Sequence, residues 1–242
     1  MTEEIALEVI NLSRAAKEKQ TDLIIIEDIS YRFFSEKIYA IIGLSGSGKT
    51  SFLRLLNNLD SPTNGEIKLK GLSLNNIDSK QIRRKIGFLF QDTFLFEKTI
   101  RDNILYANSQ MTEDEILSVL NQVNLPLNFM DKEVSRLSGG ESHRVAFGRL
   151  LAMDPDIYLL DEPTAALDPK LTETIEKLII NLAAERKKTV IIVTHDPRQA
   201  LRLKCETLIM HEGKIAASGP AETIVDNDLL TKINYLPEKQ TK

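Results

Sequence analysis

Residues 43–50 have the composition and spacing that phosphate binding requires. They are Gly43, Leu44, Ser45, Gly46, Ser47, Gly48, Lys49 and Thr50, and they satisfy the pattern G-x-x-x-x-G-K-[ST]. Glycines let a backbone wrap closely around phosphates, with its N–H groups directed at the oxygens. In such a loop Lys49 holds β- and γ-phosphate oxygens, and the Thr50 hydroxyl binds Mg²⁺. The sequence therefore predicts a nucleotide-binding loop.

The stretches on either side support this interpretation. An apolar run, Ile38–Ile42, precedes the loop, and residues 51–56 follow it with a helical pattern. An ordinary Gly/Ser-rich turn is the alternative, but it requires neither a strand before it nor a helix after it.

Two adjacent acids follow another apolar run. Residues 157–160 lead directly into Asp161 and Glu162. Ligands of open α/β sheets bind at the carboxyl ends of the strands, so both acids are expected beside the phosphate loop. We predict that Asp161 holds Mg²⁺, directly or through water. We expect Glu162, on the opposite face of the strand, to be the general base for attack of water on the γ-phosphate. A solvated acidic turn is the alternative.

Two more polar side chains stand after apolar runs. His195 follows residues 190–193, a run typical of a strand covered on both faces. If that strand lies next to the one ending at Asp161, His195 is directed at the γ-phosphate. Gln91 follows residues 87–90, where its amide is suited to contact Mg²⁺ and water. We predict catalytic roles for both, the alternatives being a structural histidine and a surface glutamine.

A second anion-binding element contains Ser138, Gly139 and Gly140. They precede a predicted helix over residues 143–152. Backbone N–H groups, a hydroxyl and the helix dipole all favour phosphate there, although an ordinary glycine-containing N-cap is the alternative. The chain then has two phosphate cradles but one phosphate-loop lysine. The simplest explanation is that the second cradle completes a site on another copy.

The elements that position these residues indicate an α/β fold with a mainly parallel sheet, because short β-branched runs alternate with helical patterns. An antiparallel β subdomain is expected near the N-terminus, over residues 5–38 and 64–71. Residues 92–137 have a mostly helical pattern and predict an inserted α-helical subdomain. Further strands are predicted at 23–26, 66–69 and 86–89, a hairpin at 207–218, and helices at 171–186 and from Thr112, where Glu115 forms a capping box.

In chain order, these pieces resemble the ATP-binding subunits of ABC transporters over nearly the whole chain. The matching pieces are residues 43–50, Gln91, residues 137–141, 157–162 and 165–168, and His195. The Ser-Gly-Gly element is specific to this class of ATPase, unlike a phosphate loop alone. The resemblance implies one ABC-type ATPase domain over residues 1–242 with a P-loop NTPase core. The core is expected at 1–91 and 138–220, the helical subdomain at about 92–137, and a C-terminal tail at 221–242.

The resemblance also implies partners and cofactors. Two copies would pair head to tail, each ATP with its Mg²⁺ lying between the phosphate loop of one subunit and residues 138–140 of the other. Asp168 would sit at the dimer seam. Gln91 and residues 92–96 would face an integral membrane permease, which closure on ATP and opening after hydrolysis would drive. The chain would then be peripheral, at the cytoplasmic face of the cell membrane.

Some positions depart from the family pattern. Ala16 stands about where family members often carry an aromatic residue that stacks on adenine. Either base selectivity is weaker, or another residue supplies the stack. Ser142 and His143 stand where a glutamine pair is more usual. The substrate and the direction stay open between metal or iron export and phosphate or amino-acid import.

Composition and charge restrict the kinds of partner and the cellular compartment that the sequence favours. The 242 residues include 31 Lys and Arg against 35 Asp and Glu, a net charge of −4 that does not favour a nucleic-acid partner. The single cysteine, Cys205, rules out an internal disulfide framework. No apolar run approaches the roughly 20 residues of a membrane span, and the acidic N-terminus does not resemble a signal peptide. We therefore expect an intracellular protein.

Two other function classes share some of these motifs. A soluble ABC-type ATPase acting on nucleic acid or ribosomes would carry a long coiled coil, a zinc module or two ATPase halves. None of these fits one uninterrupted domain of this length. A small GTPase or a kinase shares the phosphate loop, but no Asn-Lys-x-Asp motif follows it, and residues 138–140 would be unexplained. Motif order favours the transporter subunit.

Overall fold

Two β-sheets frame the part of the chain that the computed structural model describes, residues 3–18, 21–165 and 167–225. The strands are β1 (Ile5–Glu18), β2 (Thr21–Phe34), β3 (Ile38–Ile42), β4 (Asn64–Leu69), β5 (Leu72–Ser73), β6 (Ile86–Leu89), β7 (Ile157–Asp161), β8 (Thr189–Thr194), β9 (Glu206–His211) and β10 (Lys214–Pro220). The helices are α1 (Lys49–Leu56), α2 (Ser79–Lys85), α3 (Ile100–Ala107), α4 (Glu113–Gln122), α5 (Gly139–Met153), α6 (Pro169–Ala184), α7 (Pro197–Leu203) and α8 (Ala221–Val225).

The larger sheet has the order β10-β9-β3-β8-β7-β6 and is parallel except for β10, which pairs antiparallel with β9. The smaller sheet, β2-β1-β4-β5, is antiparallel throughout. The fold class predicted from the sequence is therefore confirmed, and so is the C-terminal hairpin. Because β3, β6, β7 and β8 run in one direction, the residues that follow them meet at one edge of the larger sheet.

The larger sheet lies between two apolar layers. Along β8, Val190 and Ile192 pack into the layer formed with α5 and α6, whereas Ile191 and Val193 pack into the layer beneath the antiparallel sheet and α1. This alternation follows from the two-residue period of a strand. Every residue of β7 and β8 is buried, and burial of one isoleucine side chain contributes about 1.5–3 kcal/mol. These layers fix the strand ends that carry the site.

Helices α3 and α4 are inserted between β6 and β7 and pack against α5. Each begins with a capping box, formed by Thr99 and Asp102 in α3 and by the predicted pair Thr112 and Glu115 in α4. The inserted helical subdomain is confirmed as a feature of the fold. The domain bounds given above stay a prediction, and residues 226–242 of the expected tail lie outside the described residues.

The bounds of α5, α6 and β2 differ from the predicted ones. Helix α5 begins at Gly139 rather than at residue 143, because a capping box at Ser138 starts it. Helix α6 runs over Pro169–Ala184 rather than 171–186, because Asp168 caps it and proline suits its first position. Strand β2 extends far beyond residues 23–26, because it pairs with β1 along its whole length.

A helix that crosses a bilayer needs roughly 20 mostly apolar residues. Within the described ranges, no helix is both long and apolar enough to cross a membrane.

Candidate nucleotide-binding site

The loop at residues 43–48 joins β3 to α1 and packs tightly against strands β2 and β9. Gly48 has φ 99°, a left-handed conformation that favours glycine. A Cβ at this position would also lie 2.8 Å from the Ile25 carbonyl oxygen and 2.9 Å from Cδ1 of Ile26. A Cβ on Gly43 would overlap the carbonyl oxygen of Met210. Strands β2 and β9 thus leave room only for glycine at both positions.

Lys49 is held inside this loop. Its Nζ donates to the carbonyl oxygens of Gly43 at 2.7 Å and Leu44 at 2.8 Å. Burial lowers the pKa of Lys49, and the nearby carboxylates of Glu162 and Asp161 oppose this change. The Lys49 ammonium is therefore bound to two neutral carbonyl oxygens. The charged oxygens of a phosphate would be stronger acceptors.

Asp161 ends β7 and is 1% exposed. Burial raises the pKa of Asp161, while a hydrogen bond from the Thr50 side chain lowers it. Its Oδ1 is buried and has no hydrogen-bond partner in the described part of the chain. A buried carboxylate oxygen without a partner, next to a hydroxyl, is a donor set that fits Mg²⁺.

The described residues supply only part of the coordination shell of a cation. Among residues 3–18, 21–165 and 167–225, no group of three or more His, Cys, Asp or Glu could hold a metal ion. Mg²⁺ typically takes one or two carboxylates and completes its shell with water and substrate phosphates. The residues present therefore fit a cation that arrives with a nucleotide.

The Glu162 carboxylate contacts two other predicted site residues, Gln91 and His195. Gln91 Nε2 donates to Glu162 Oε2 at 3.1 Å, and His195 Nδ1 lies 3.4 Å from the same oxygen. The predicted adjacency of the strands before Asp161 and His195 is confirmed, since β7 pairs with β8.

The reason given for the direction of Glu162 is wrong. The strand ends at Asp161, and Glu162 adopts a left-handed conformation with φ 51° just beyond it. Its N–H donates to the Val193 carbonyl at 3.0 Å, which fixes the turn. The turn, not the alternation of a strand, separates the two acidic side chains.

Glu162, Gln91, His195 and part of the phosphate loop line one cleft of about 510 Å³. Its lining residues are Ile25, Gly43, Ser45, Gly46, Gly48, Lys49, Thr50, Ser51, Gln91, Glu162 and His195. The phosphate loop and the three predicted catalytic residues are thus brought together. Ile25 and Ser51 were not predicted. Ser51 follows directly on the recognised motif, but Ile25 looks like any apolar strand residue and carries no sequence signal.

Other predicted binding residues do not line this cleft. Ser138 caps α5, where its Oγ accepts from the N–H of Glu141 at 3.2 Å and the Glu141 carboxylate accepts from the Ser138 N–H at 2.8 Å. Asp168 caps α6 by accepting from two backbone N–H groups, at 2.9 and 3.0 Å. Within one chain, both residues have local structural roles. Ala166, in the matched run 165–168, lies outside the described residues.

The strand residues around the predicted stacking position, Ala16, are aliphatic. Ala16 pairs with Leu23 across the β1–β2 hairpin, and Ile25 contributes to the cleft two residues further on. None of the described residues that line the cleft is aromatic. The structure therefore offers aliphatic surface near the position where a stacking ring was expected.

Comparison with known proteins decides the family. The sequence profile described as ABC transporter matches residues 26–165, more than half of the chain. The chain belongs to the ABC transporter family. The ABC profile spans the phosphate loop, the Ser-Gly-Gly element and both acids at the end of β7.

Individual relatives agree with this assignment. The ABC transporter I family member 17 of Arabidopsis thaliana is 38% identical over 182 residues, covering 74% of this chain and 69% of the relative. The energy-coupling factor transporter ATP-binding protein EcfA2 of Mycoplasma capricolum is 34% identical over 238 residues, covering 93% and 82%. The solved dimer of the ATP-binding cassette MJ0796 in a post-hydrolysis state with ADP and Pi superposes with a TM-score of 0.82 at 30% identity, covering 89% and 98%. The predictions of an ATP-binding ABC subunit and of an ATPase are confirmed.

Proposed function

We propose that this ABC subunit hydrolyses Mg²⁺-ATP at a site shared between two copies of the chain and thereby drives a separate membrane permease. One observation carries the proposal. The cleft contains the phosphate loop, Gln91, Glu162 and His195, whereas Ser138 and its neighbouring glycines lie outside it. The second cradle is thus available to a nucleotide bound to another copy.

Each residue in the cleft has a chemical role in this proposal. Lys49 and the loop N–H groups bind phosphate oxygens, while Thr50 and Asp161 hold Mg²⁺, which supplies neutralisation of phosphate charge. Glu162 takes the proton from the attacking water. His195 and Gln91 both contact Glu162 Oε2 and so orient that carboxylate. The Gln91 amide oxygen is proposed as a further ligand of Mg²⁺.

The exposed start of α5 supports the role of the second copy. In the capping box the Ser138 oxygen accepts from the Glu141 N–H, and its O–H lies within reach of the Glu141 carboxylate. In this proposal the hydroxyl turns from that carboxylate to donate to a phosphate oxygen. The first N–H groups of the helix add positive potential at the same place. Asp168, exposed at the start of α6, is proposed to lie at the seam between the copies.

A second surface suits the permease. A cleft of about 890 Å³ is lined by residues from 93–99 and 133–135. Phe94 and Tyr106, next to it, are each 72% exposed. Both pack against Phe96, whose ring centroid lies 6.0 Å from that of Phe94 and 4.2 Å from that of Tyr106. Exposed aromatic clusters of this kind are typical of interfaces. Docking of a permease here would hold the chain peripherally at the cytoplasmic membrane face, with no need for nucleic acid.

The proposal is tested by replacing Glu162 with glutamine. We expect Glu162→Gln to retain ATP binding, to lose turnover and to accumulate as an ATP-bound dimer in size-exclusion chromatography with light scattering. The control is Glu212→Gln, the same change at an acid that is 85% exposed and outside the cleft. Normal turnover in Glu162→Gln would show that Glu162 is not the general base.

A further inference from the structure

The carboxylate of Glu176 is buried, and the proposed mechanism gives it no role. Glu176, in the middle of α6, is 6% exposed. Arg202 of α7 donates to it from Nη2 at 2.7 Å and from Nε at 2.9 Å. Gln199, one turn earlier on α7, donates to it from Nε2 at 3.1 Å. Both carboxylate oxygens are therefore satisfied, and α6 and α7 are joined through one charged group.

Gln199 and Arg202 also bind residues close in sequence to Glu162 and His195. Gln199 Nε2 donates to Thr164 Oγ1 at 2.9 Å, and Thr164 lies two residues after Glu162. Arg202 Nη2 contacts Asp196 Oδ2 at 3.1 Å, and Asp196 directly follows His195. The loops that carry Glu162 and His195 are thus both tied to Glu176. These loops share a small cavity of about 180 Å³ on the side away from the phosphate loop.

The backbone turn after β7 transmits this contact to Glu162. The Ala165 N–H donates to the Glu162 carbonyl and the Leu167 N–H donates to the Thr164 carbonyl, each at 3.2 Å. These two turns restrict the backbone conformation of Glu162 as long as the hydrogen bond from Gln199 holds Thr164 in place. The left-handed conformation of Glu162 is also one that surrounding structure must enforce.

A purely structural role does not explain why a glutamine stands at position 199. It is 1% exposed, and its Oε1 finds no hydrogen-bond partner among the residues that the structure describes. A buried amide oxygen without a partner opposes folding, and an apolar side chain of similar size would avoid that cost. Arg202 alone already satisfies both oxygens of Glu176. What an apolar residue could not do is hold the Thr164 hydroxyl.

We propose that Gln199 is a positioning residue for ATP hydrolysis, holding Thr164 so that the Glu162 carboxylate faces the attacking water. This inference rests on the role of Glu162 given under Proposed function. Gln199 touches neither nucleotide nor water in this account. It acts through the two residues between Thr164 and the base, while Arg202 holds the His195 loop against the same buried carboxylate.

The test removes the Gln199–Thr164 hydrogen bond from each side, in the full-length chain. Gln199→Met and Thr164→Val are each expected to lower kcat by about 10- to 100-fold, the size of effect that small misplacements of a reacting group produce. KM for ATP and ATP binding should stay at wild-type values. The melting temperature should not fall, because Gln199→Met also removes the buried amide oxygen that has no partner among the described residues. The double variant should be no slower than either single one, because both changes break one contact.

The matched control is Thr174→Val. It removes an exposed hydroxyl hydrogen bond within α6, from Thr174 to the Lys170 carbonyl at 3.0 Å. Its kcat should equal that of the wild type. As an activity-independent readout, amide exchange of Ala165 and Leu167 should accelerate in Gln199→Met and Thr164→Val but not in the control.

The outcomes separate this inference from the proposed function. Wild-type kcat in either variant overturns the positioning role, as does a loss that is additive in the double variant or that follows the melting temperature. If Glu162→Gln itself keeps normal turnover, the base assignment fails first. If Glu162→Gln is inactive while Gln199→Met is fully active, only the positioning role is refuted.

Discussion

Replacing Lys49 by methionine tests the phosphate loop. The change keeps the length of the side chain and removes the ammonium that binds the Gly43 and Leu44 carbonyls at 2.7 and 2.8 Å. In the nucleotide-free chain those carbonyls belong to the loop around a 510 Å³ cleft that water can enter. Water can replace the lost donor, so the melting temperature should change little.

The effect on nucleotide binding follows from the exchange of acceptors. When ATP binds, Lys49 exchanges two neutral carbonyl acceptors for two charged phosphate oxygens. A hydrogen bond contributes about 0.5–1.5 kcal/mol between neutral groups and about 1.5–3 kcal/mol to a charged group. Two exchanges therefore gain about 2–3 kcal/mol, which corresponds to a Kd for ATP about 25- to 150-fold higher in Lys49→Met.

Isothermal titration calorimetry with Mg²⁺-ATP measures this change directly. The control is Lys177→Met, which removes the same charge from a residue that is 71% exposed and paired with Glu173 on the surface of α6. That variant should bind ATP with the wild-type Kd, because exposed ion pairs contribute little. Equal affinities of Lys49→Met and wild type would refute the assignment of the loop.

Two further predictions concern Asp161 and Ala16. Burial raises the pKa of Asp161, so its ionised form opposes folding; this penalty is absent below the ordinary pKa of about 3.9 and grows as the pH rises through the raised folded-state pKa. Calorimetry should therefore show Asp161→Asn melting above wild type without nucleotide, by a margin that widens as the pH rises from about 3.9 towards the raised folded-state pKa and then levels off. A margin that does not change with pH would contradict this. Ala16→Tyr adds a ring near Ile25, and since stacking on a base contributes about 1–3 kcal/mol, ATP should bind about tenfold more tightly. Unchanged affinity would place the base elsewhere.

Much of the site could be predicted because its chemistry depends on short local patterns. The phosphate loop, the acids after β7 and His195 each follow a buried strand directly, and parallel strands bring such positions together. The start of α5 could also have been placed correctly. Ser138 and Glu141 form a capping-box pattern in the sequence, which outweighs the low helix propensity of the two glycines between them.

The rest depends on contacts between distant parts of the chain. Ile25 reaches the cleft because β2 passes beneath the phosphate loop, and only the packing of Gly48 against that strand reveals it. Gln199 and Thr164 are 35 positions apart, and nothing in either local sequence indicates their hydrogen bond. The turn at Glu162 was missed because its left-handed conformation is imposed by β8, not by a residue type that favours it.

The central claim is that each hydrolytic site is completed by a second copy, and a mixing experiment tests it most directly. Lys49→Met and Ser138→Arg are each expected to be inactive alone, since one lacks the loop lysine and the other blocks the cradle at the start of α5. In a mixed head-to-tail dimer, one site combines an intact loop with an intact cradle. Mixing the two inactive chains should therefore restore ATPase activity, up to roughly a quarter of the wild-type rate. No recovery at any ratio, with ATP-dependent association of the two chains demonstrated, would contradict a shared site.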